Sequence, residues 1–192
     1  MKALCIIGSP RENGCTSFIT GKVAQGMIDS GIEVKSYVLG SLDIMYCKGC
    51  KTCYKTRKCI QRDDVDQIIN DLFESDIILV AAPSYWGDVP GQLKVFFDRC
   101  TPICNTGEGG TSVPKGKIGI SVAVRAGHRQ EENMHLINCI EHYFGHLEIK
   151  PVERYTVERI NDVSDFENRK EELEKAYLVG RNILKKYDSC CL

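Results

Sequence analysis

The sequence predicts an α/β domain, a doubly wound, five-stranded parallel sheet in the order 2-1-3-4-5. Three observations carry this. Apolar strand-like runs alternate with helical patterns along the whole chain. The runs at Lys2–Ile7 and Asp76–Ala82 are continuously apolar, as strands buried on both faces are. Polar loops follow strands one, three and four, on the rim where open parallel sheets bind ligands.

The first strand, Lys2–Ile7, runs into the loop Gly8–Ser17, GSPRENGCTS. A helix with Ile19, Val23 and Met27 inward follows, stopped at Ser30–Gly31. Strand, polar loop and helix in that order form a phosphate site, because amides at a helix N-terminus meet the anion. Ser9, Thr16 and Ser17 supply hydroxyls and Arg11 a charge-assisted donor, with Asn13 and Cys15 in the same loop. No G-x-G-x-x-G and no Gly-Lys-Thr/Ser is present, which argues against a dinucleotide fold and a P-loop. The loop suits a terminal monophosphate such as that of FMN; an ordinary turn capped by Thr16 is the alternative.

Strand two is Glu33–Val38. Asp64 is the expected N-cap of the next helix, with Gln67 closing a capping box and Val65, Ile68, Ile69, Leu72 and Phe73 inward. The most apolar strand, Asp76–Ala82, belongs at the centre. Pro83, Ser84, Tyr85, Trp86 and Gly87 follow it, and the two aromatics can flank a flat ring or pack in the core. Asp88 and Pro90 read as N-cap and early helix, and Leu93, Phe96, Phe97 and Cys100 as that helix's inner face.

Residues 101–116 read as a loop, and Thr106–Thr111 as its glycine-rich part. Strand four is Lys117–Val124. Arg125, Ala126 and Gly127 end it on the shared rim, where amides can face a flavin and arginines a dinucleotide phosphate. A helix runs from about Glu131 to Phe144, with Gly145 as its stop. That stop separates His146 from His135 and His142, so a polar helix face is expected over a metal face. Strand five is Glu148–Val157, and Ser164 with Glu167 is the expected capping box of the last helix.

At 192 residues and 43% hydrophobic, residues 1–192 are expected to form one domain, with a cysteine-rich loop inserted at about 44–62. The net charge of -1 gives no signal for nucleic acid or an anionic membrane as partner. No apolar run spans a bilayer and MKALCIIGSP lacks a signal-peptide pattern, so a cytoplasmic location is expected. Eleven cysteines, an odd number, point in a reducing compartment to a metal site or redox chemistry.

Four of those cysteines, Cys47, Cys50, Cys53 and Cys59, form C-x2-C-x2-C-x5-C. The first three have the spacing that wraps three corners of a cubane iron–sulfur cluster, and the longer arm can bring Cys59 to the fourth. Lys48, Lys51, Lys55, Arg57, Lys58 and Arg62 can offset the negative charge or steer an acidic partner. Structural zinc, which usually takes two separated C-x2-C pairs, and free thiols or a redox disulfide remain open.

GSPRENGCTS, PSYWGDVPGQLKVFFDR and the cysteine motif between them resemble the iron–sulfur flavoproteins of anaerobic archaea and bacteria. These belong to the NADPH-dependent FMN reductase group of flavodoxin-like proteins. The resemblance implies FMN and a [4Fe–4S] cluster in each subunit of a homodimer or homotetramer that brings clusters close to flavins. By that likeness Ser9, Arg11, Thr16 and Ser17 hold the FMN phosphate, and Pro83, Ser84, Tyr85, Trp86 and Gly87 line the ring. Cys47, Cys50, Cys53 and Cys59 ligate the cluster, while Cys15 departs from the polar residue of many relatives.

The expected activity is electron transfer from a ferredoxin-like donor, through the cluster and FMN, to a small acceptor such as oxygen, peroxide or a quinone. No catalytic side chain is expected. The alternative is an NAD(P)H-dependent FMN or quinone reductase without a cluster. A third reading is a non-enzymatic FMN- or zinc-binding module.

Overall fold

Buried apolar runs form the frame that the patterning predicts. The computed structural model describes residues 1–106 and 109–191. Strands β1 (Lys2–Ile7), β2 (Glu33–Val38), β3 (Ile77–Pro83), β4 (Ile118–Val124) and β5 (Lys150–Val157) pair in parallel, in the order β2-β1-β3-β4-β5. Cys5 stands opposite Ser36 on one side and Leu79 on the other. Residues Ile77–Ala82 and all of β4 are buried, because helices cover both faces of the central strands.

Helices α1 (Cys15–Ile28), α6 (Lys170–Arg181) and α7 (Ile183–Cys191) cover one face, and their core joins Cys5, Ile19, Val23, Ile120, Phe166, Ala176 and Ile183. Helices α3 (Val65–Glu74), α4 (Gly91–Arg99) and α5 (Gln130–His146) cover the other, around Leu4, Ile68, Leu72, Phe96, Ile140 and Phe144. A short helix of 5 residues, α2 (Thr52–Thr56), lies inside the cysteine loop. Among the described residues no helix is long and apolar enough to cross a membrane.

The helix starts differ from expectation, each for a local reason. Asp64 precedes α3 without a side-chain cap, because its Oδ2 accepts the amide of Asp43 at 2.8 Å. Gln67 donates to Asp71 instead, so no capping box forms there. Asp88 lies in a tight turn and Pro90 is the residue before α4, so neither plays its expected part. The Ser164–Glu167 box is replaced by one two residues earlier. Asp162 Oδ1 accepts the Ser164 amide at 3.1 Å, and Asp165 Oδ2 accepts the Asp162 amide at 3.0 Å. The final helical stretch is also broken at Asn182 into α6 and α7.

Gly145 does not stop α5. The helix continues through His146, and the left-handed residue that ends it is Glu148, at φ +55. The expected glycine-rich loop lies partly outside the described residues, at Gly107 and Glu108.

Helices α1 and α6 cross at two glycines. A Cβ on Gly26 would lie 2.1 Å from the Tyr177 carbonyl oxygen, and one on Gly180 would lie 1.9 Å from that of Val23. Backbone cannot yield there as a side chain would, so overpacking forces the helices apart. Gly180→Ala should therefore cost about 2 kcal/mol or more, read as a lower urea midpoint. An unchanged midpoint would show that the crossing tolerates a methyl group.

Candidate functional site: a phosphate loop, an aromatic turn and a four-thiol cleft

The loop after β1 is built to leave a helix end open. Helix α1 begins at Gly14 with no side-chain cap and no acidic residue in its first turn, so Thr16 does not cap it. First-turn amides have no partner inside a helix, and no acidic residue lies within this first turn, although Asp162 and Asp165 are close enough to act on Cys15. Ser9 is buried and its Oγ accepts the Arg11 amide at 3.1 Å. The Ser17 hydroxyl donates to the Arg11 carbonyl at 3.2 Å, and the Gly14 amide does so at 3.3 Å. These bonds fold the loop around Arg11, whose side chain is exposed and makes no ion pair among the described residues. Cys15 is buried beneath, and that burial pushes its thiol above the ordinary value despite nearby Arg11.

The aromatic turn follows β3. Tyr85 and Asp88 exchange two backbone hydrogen bonds, of 2.9 and 3.1 Å, which closes a two-residue turn over Trp86 and Gly87. Both are left-handed, at φ +56 and +78. Glycine takes that conformation freely, whereas a tryptophan there costs about 1 kcal/mol. Trp86 is fully exposed and Tyr85 is 42% exposed, so this pair is not core. Ser84 ties the turn to β4 through its amide and the Val124 carbonyl, 2.9 Å.

Ala126 and Gly127 are exposed on the same rim, but Arg125 is not available for a phosphate. Its side chain is 1% exposed and lies between Glu132 at 3.3 Å and Glu158 at 3.1 Å. A buried cation must be paired, and these carboxylates take that role.

The thiols of Cys47, Cys50, Cys53 and Cys59 line one cleft with Lys48, Lys51 and Arg99. Left-handed Gly49, Lys51 and Arg57 fold the loop around it. The Thr52 amide and hydroxyl hold the Cys50 thiol below its ordinary value, favouring the thiolate. Burial raises Cys53, and the nearby Cys59, Cys47 and Cys50 add to the rise. Among the described residues no three His, Cys, Asp or Glu side chains are grouped to hold one ion. The donor set itself, four soft thiols around one cleft with cationic side chains beside them, fits an anionic iron–sulfur group.

Two anchors of this loop, Arg99 and Arg57, have partners that no local sequence signal gives. Arg99, in the last turn of α4, donates to both carboxylate oxygens of Asp63, at 2.5 and 3.0 Å, and to the Met45 carbonyl at 2.6 Å. Both side chains are essentially buried, at 1% and 0% exposed. Asp63 also accepts the amides of Met45 and Val65. Met45 precedes Cys47 and Asp63 follows Cys59, so one ion pair clamps both ends of the loop. Arg57, expected to balance cluster charge, instead donates to Cys104 O, Gly110 O and Ser112 Oγ, at 3.1, 2.7 and 3.0 Å. Arg99 could have been noticed, since it continues the Leu93–Phe96 stripe of α4 at helical spacing.

The two regions sit at opposite ends of α4. Gln92, in its first turn, donates to the Gly8 carbonyl of the phosphate loop at 2.8 Å, and Arg99 ends it at the thiol cleft. The 9 residues of α4 span about 14 Å.

A five-stranded parallel sheet in this order, with an open helix N-terminus at its carboxyl rim, defines a flavodoxin-like protein. The chain belongs to the NADPH-dependent FMN reductase family, whose model matches residues 1–158, and within it to the iron–sulfur flavoproteins. An iron–sulfur flavoprotein of Archaeoglobus fulgidus is 39% identical over 127 residues, 66% of this chain and 56% of the relative. One of Methanocaldococcus jannaschii is 31% identical over 153 residues, 79% of this chain and 75% of the relative. The matched segment thus spans little more than half of the Archaeoglobus relative. The structure of an NAD(P)H:quinone oxidoreductase from Methanothermobacter marburgensis shares the fold at a TM-score of 0.76, with 15% identity and 95% and 96% of the two chains covered.

Burial raises the Asp63 carboxyl, but the Arg99, Met45 and Val65 hydrogen bonds outweigh it and hold it below the usual carboxylate range. The clamp's contribution is therefore intact above pH about 4 and lost only as pH falls through the depressed folded value. Asp63→Asn should cost about 3 kcal/mol or more, because Arg99 stays buried without a counter-charge. Denaturant melts should show the double variant Asp63→Leu/Arg99→Met less destabilised than Asp63→Asn; equal losses would deny the pair its coupling.

Proposed function

We propose that this chain is an electron-transfer flavoprotein, with FMN at the α1 rim and an iron–sulfur cluster in the four-thiol cleft. The convergence of Cys47, Cys50, Cys53 and Cys59 on one cleft is the observation that carries the reading. In it, Ser9, Arg11, Asn13, Thr16, Ser17 and the α1 amides bind the FMN phosphate. Cys15 contributes its backbone amide, since its thiol is buried. Pro83, Ser84, Tyr85, Trp86, Gly87, Ala126 and Gly127 border the ring, and Arg125 stays a structural ion pair. Bound there, FMN supplies one- and two-electron chemistry and the cluster one-electron transfer.

The protein's own part is position and charge. Lys48 and Lys51 line the cleft, and exposed Lys55 and Lys58 extend a cationic surface that would draw an acidic donor such as a ferredoxin-like protein. Exposed Tyr46, Tyr54 and Ile60 around the cleft offer apolar area for such contact or for a second subunit. The resemblance to iron–sulfur flavoproteins implies a homodimer or homotetramer, which would join one subunit's cleft to another's rim.

A second reading, an NAD(P)H-dependent FMN or quinone reductase, draws on the family match. Stopped-flow mixing with NADPH separates the two: fast, stoichiometric flavin bleaching supports the reductase, and slow bleaching supports a protein donor.

Anaerobically purified protein should carry about four iron and four sulfide per FMN; flavin with neither, even after reconstitution, would sink the cluster. Cys50→Ser should abolish iron binding yet leave FMN affinity unchanged, because α4 separates the two regions. Arg11→Ala should weaken FMN roughly 10-fold, through one charge-assisted hydrogen bond, while riboflavin affinity stays level. Equal weakening of both ligands would remove Arg11 from the phosphate site.

A further inference from the structure

The continuation of α5 through His146 creates a site that the predicted stop at Gly145 would have prevented. His142 and His146 are four residues apart on one helical face, and their Nε2 atoms stand 3.1 Å apart. Two imidazoles on one zinc ion, each at 2.0–2.1 Å in a tetrahedral array, are separated by about 3.4 Å. Chelation then asks for a few tenths of an ångström more between the two nitrogens, a turn of the edge-on rings and a shift of the proton they share from the His142 Nε2 to its Nδ1.

A second observation concerns the other ring nitrogen. His146 Nδ1 lies 3.0 Å from Asn105 Oδ1. Asn105 is held in place by its own amide, which donates to the His146 carbonyl at 2.9 Å, and its Nδ2 faces the Gly145 carbonyl at 3.5 Å. Its side-chain oxygen is therefore turned to the ring. An oxygen that only accepts places the proton on Nδ1 and leaves the lone pair on Nε2. That is the outer arrangement that orients metal-bound histidines.

The pair opens on a cleft of about 400 Å³ lined also by Tyr54, Cys104, Thr106 and Cys139. Among the described residues no third His, Cys, Asp or Glu is grouped with the pair to hold an ion. Water or a small anion entering the cleft would complete the coordination. His135 lies elsewhere, paired with Asp88 at 3.7 Å.

We infer that His142 and His146 chelate one divalent transition-metal ion of the zinc class through their Nε2 atoms, with Asn105 as a positioning residue. Imidazole pairs suit borderline ions such as zinc, copper and nickel, and the open positions leave room for an exogenous ligand. The site adjoins the four-thiol cleft, with Asp98 and Thr101 lining both, but takes none of the four thiols as a ligand.

The test is Co²⁺ titration of the full-length protein, followed by absorbance and by competition with Zn²⁺. The expected result is one high-spin cobalt per chain without a thiolate-to-cobalt charge-transfer band, displaced by Zn²⁺ and retained in Cys50→Ser. His142→Ala and His146→Ala should each weaken it at least about 10-fold, and Asn105→Leu by about 10-fold, while Asn105→Asp restores it. Both histidines are at least partly exposed, so the helical circular dichroism should not change. Cobalt bound only with a thiolate band, or with equal affinity in the histidine variants, would reduce the pair to a hydrogen bond between two rings and overturn the inference.

Discussion

The bidentate ion pair between Arg99 and Asp63 is the constraint on which the cysteine loop of this protein depends. Two charges removed from water are costly unless each is fully hydrogen-bonded. Here the guanidinium also binds the Met45 carbonyl, and the carboxylate also binds the amides of Met45 and Val65. A single point at the end of α4 thereby holds both ends of a loop that is almost entirely exposed between them. Without it, the cysteine loop has little apolar area of its own to define a conformation. The Arg57 contacts to Cys104, Gly110 and Ser112 supply the second fixed point.

Helix α4 connects two kinds of chemistry. Its first turn packs under the phosphate loop so closely that a Cβ on Gly8 would stand 2.8 Å from Leu93 Cδ2. Its last turn carries Arg99. The rim presents an uncapped helix N-terminus and hydroxyls, whereas the cleft presents soft thiols with cations nearby. The same separation makes the Arg11 and Cys50 positions independently addressable. The strain of a left-handed Trp86, exposed rather than packed, is also concentrated at the rim, where backbone strain is characteristic of ligand contacts.

The expectations about helix ends fail for one reason. Residue type and spacing mark Asp64, Asp88 and Ser164 as caps, yet α3 and α4 start with no side-chain cap and Asp162 replaces Ser164. Helix ends are decided by differences of about 1 kcal/mol, so one tertiary hydrogen bond, such as that from the Asp43 amide to Asp64, outweighs the local preference. The stop expected at Gly145 fails for the same reason, since α5 runs on through His146. A glycine's cost inside a helix is about 1 kcal/mol, which the burial of Phe144 and Leu147 on either side offsets.

The sequence by itself determined the sheet, its strand order, its central strands and the four clustered cysteines. Those depend on periodicity, continuous apolar runs and spacing, which are local and repeat over many residues. Only the tertiary structure decided the partners of buried charge: Arg99 with Asp63, Arg125 with Glu132 and Glu158, and Arg57 with a loop about 50 residues away. It also decided that Trp86 faces outward, and that His142 and His146 meet with Asn105 behind them. A charged or polar side chain carries no signal of its partner along the chain. That partner exists only once packing has removed water and left one group within reach.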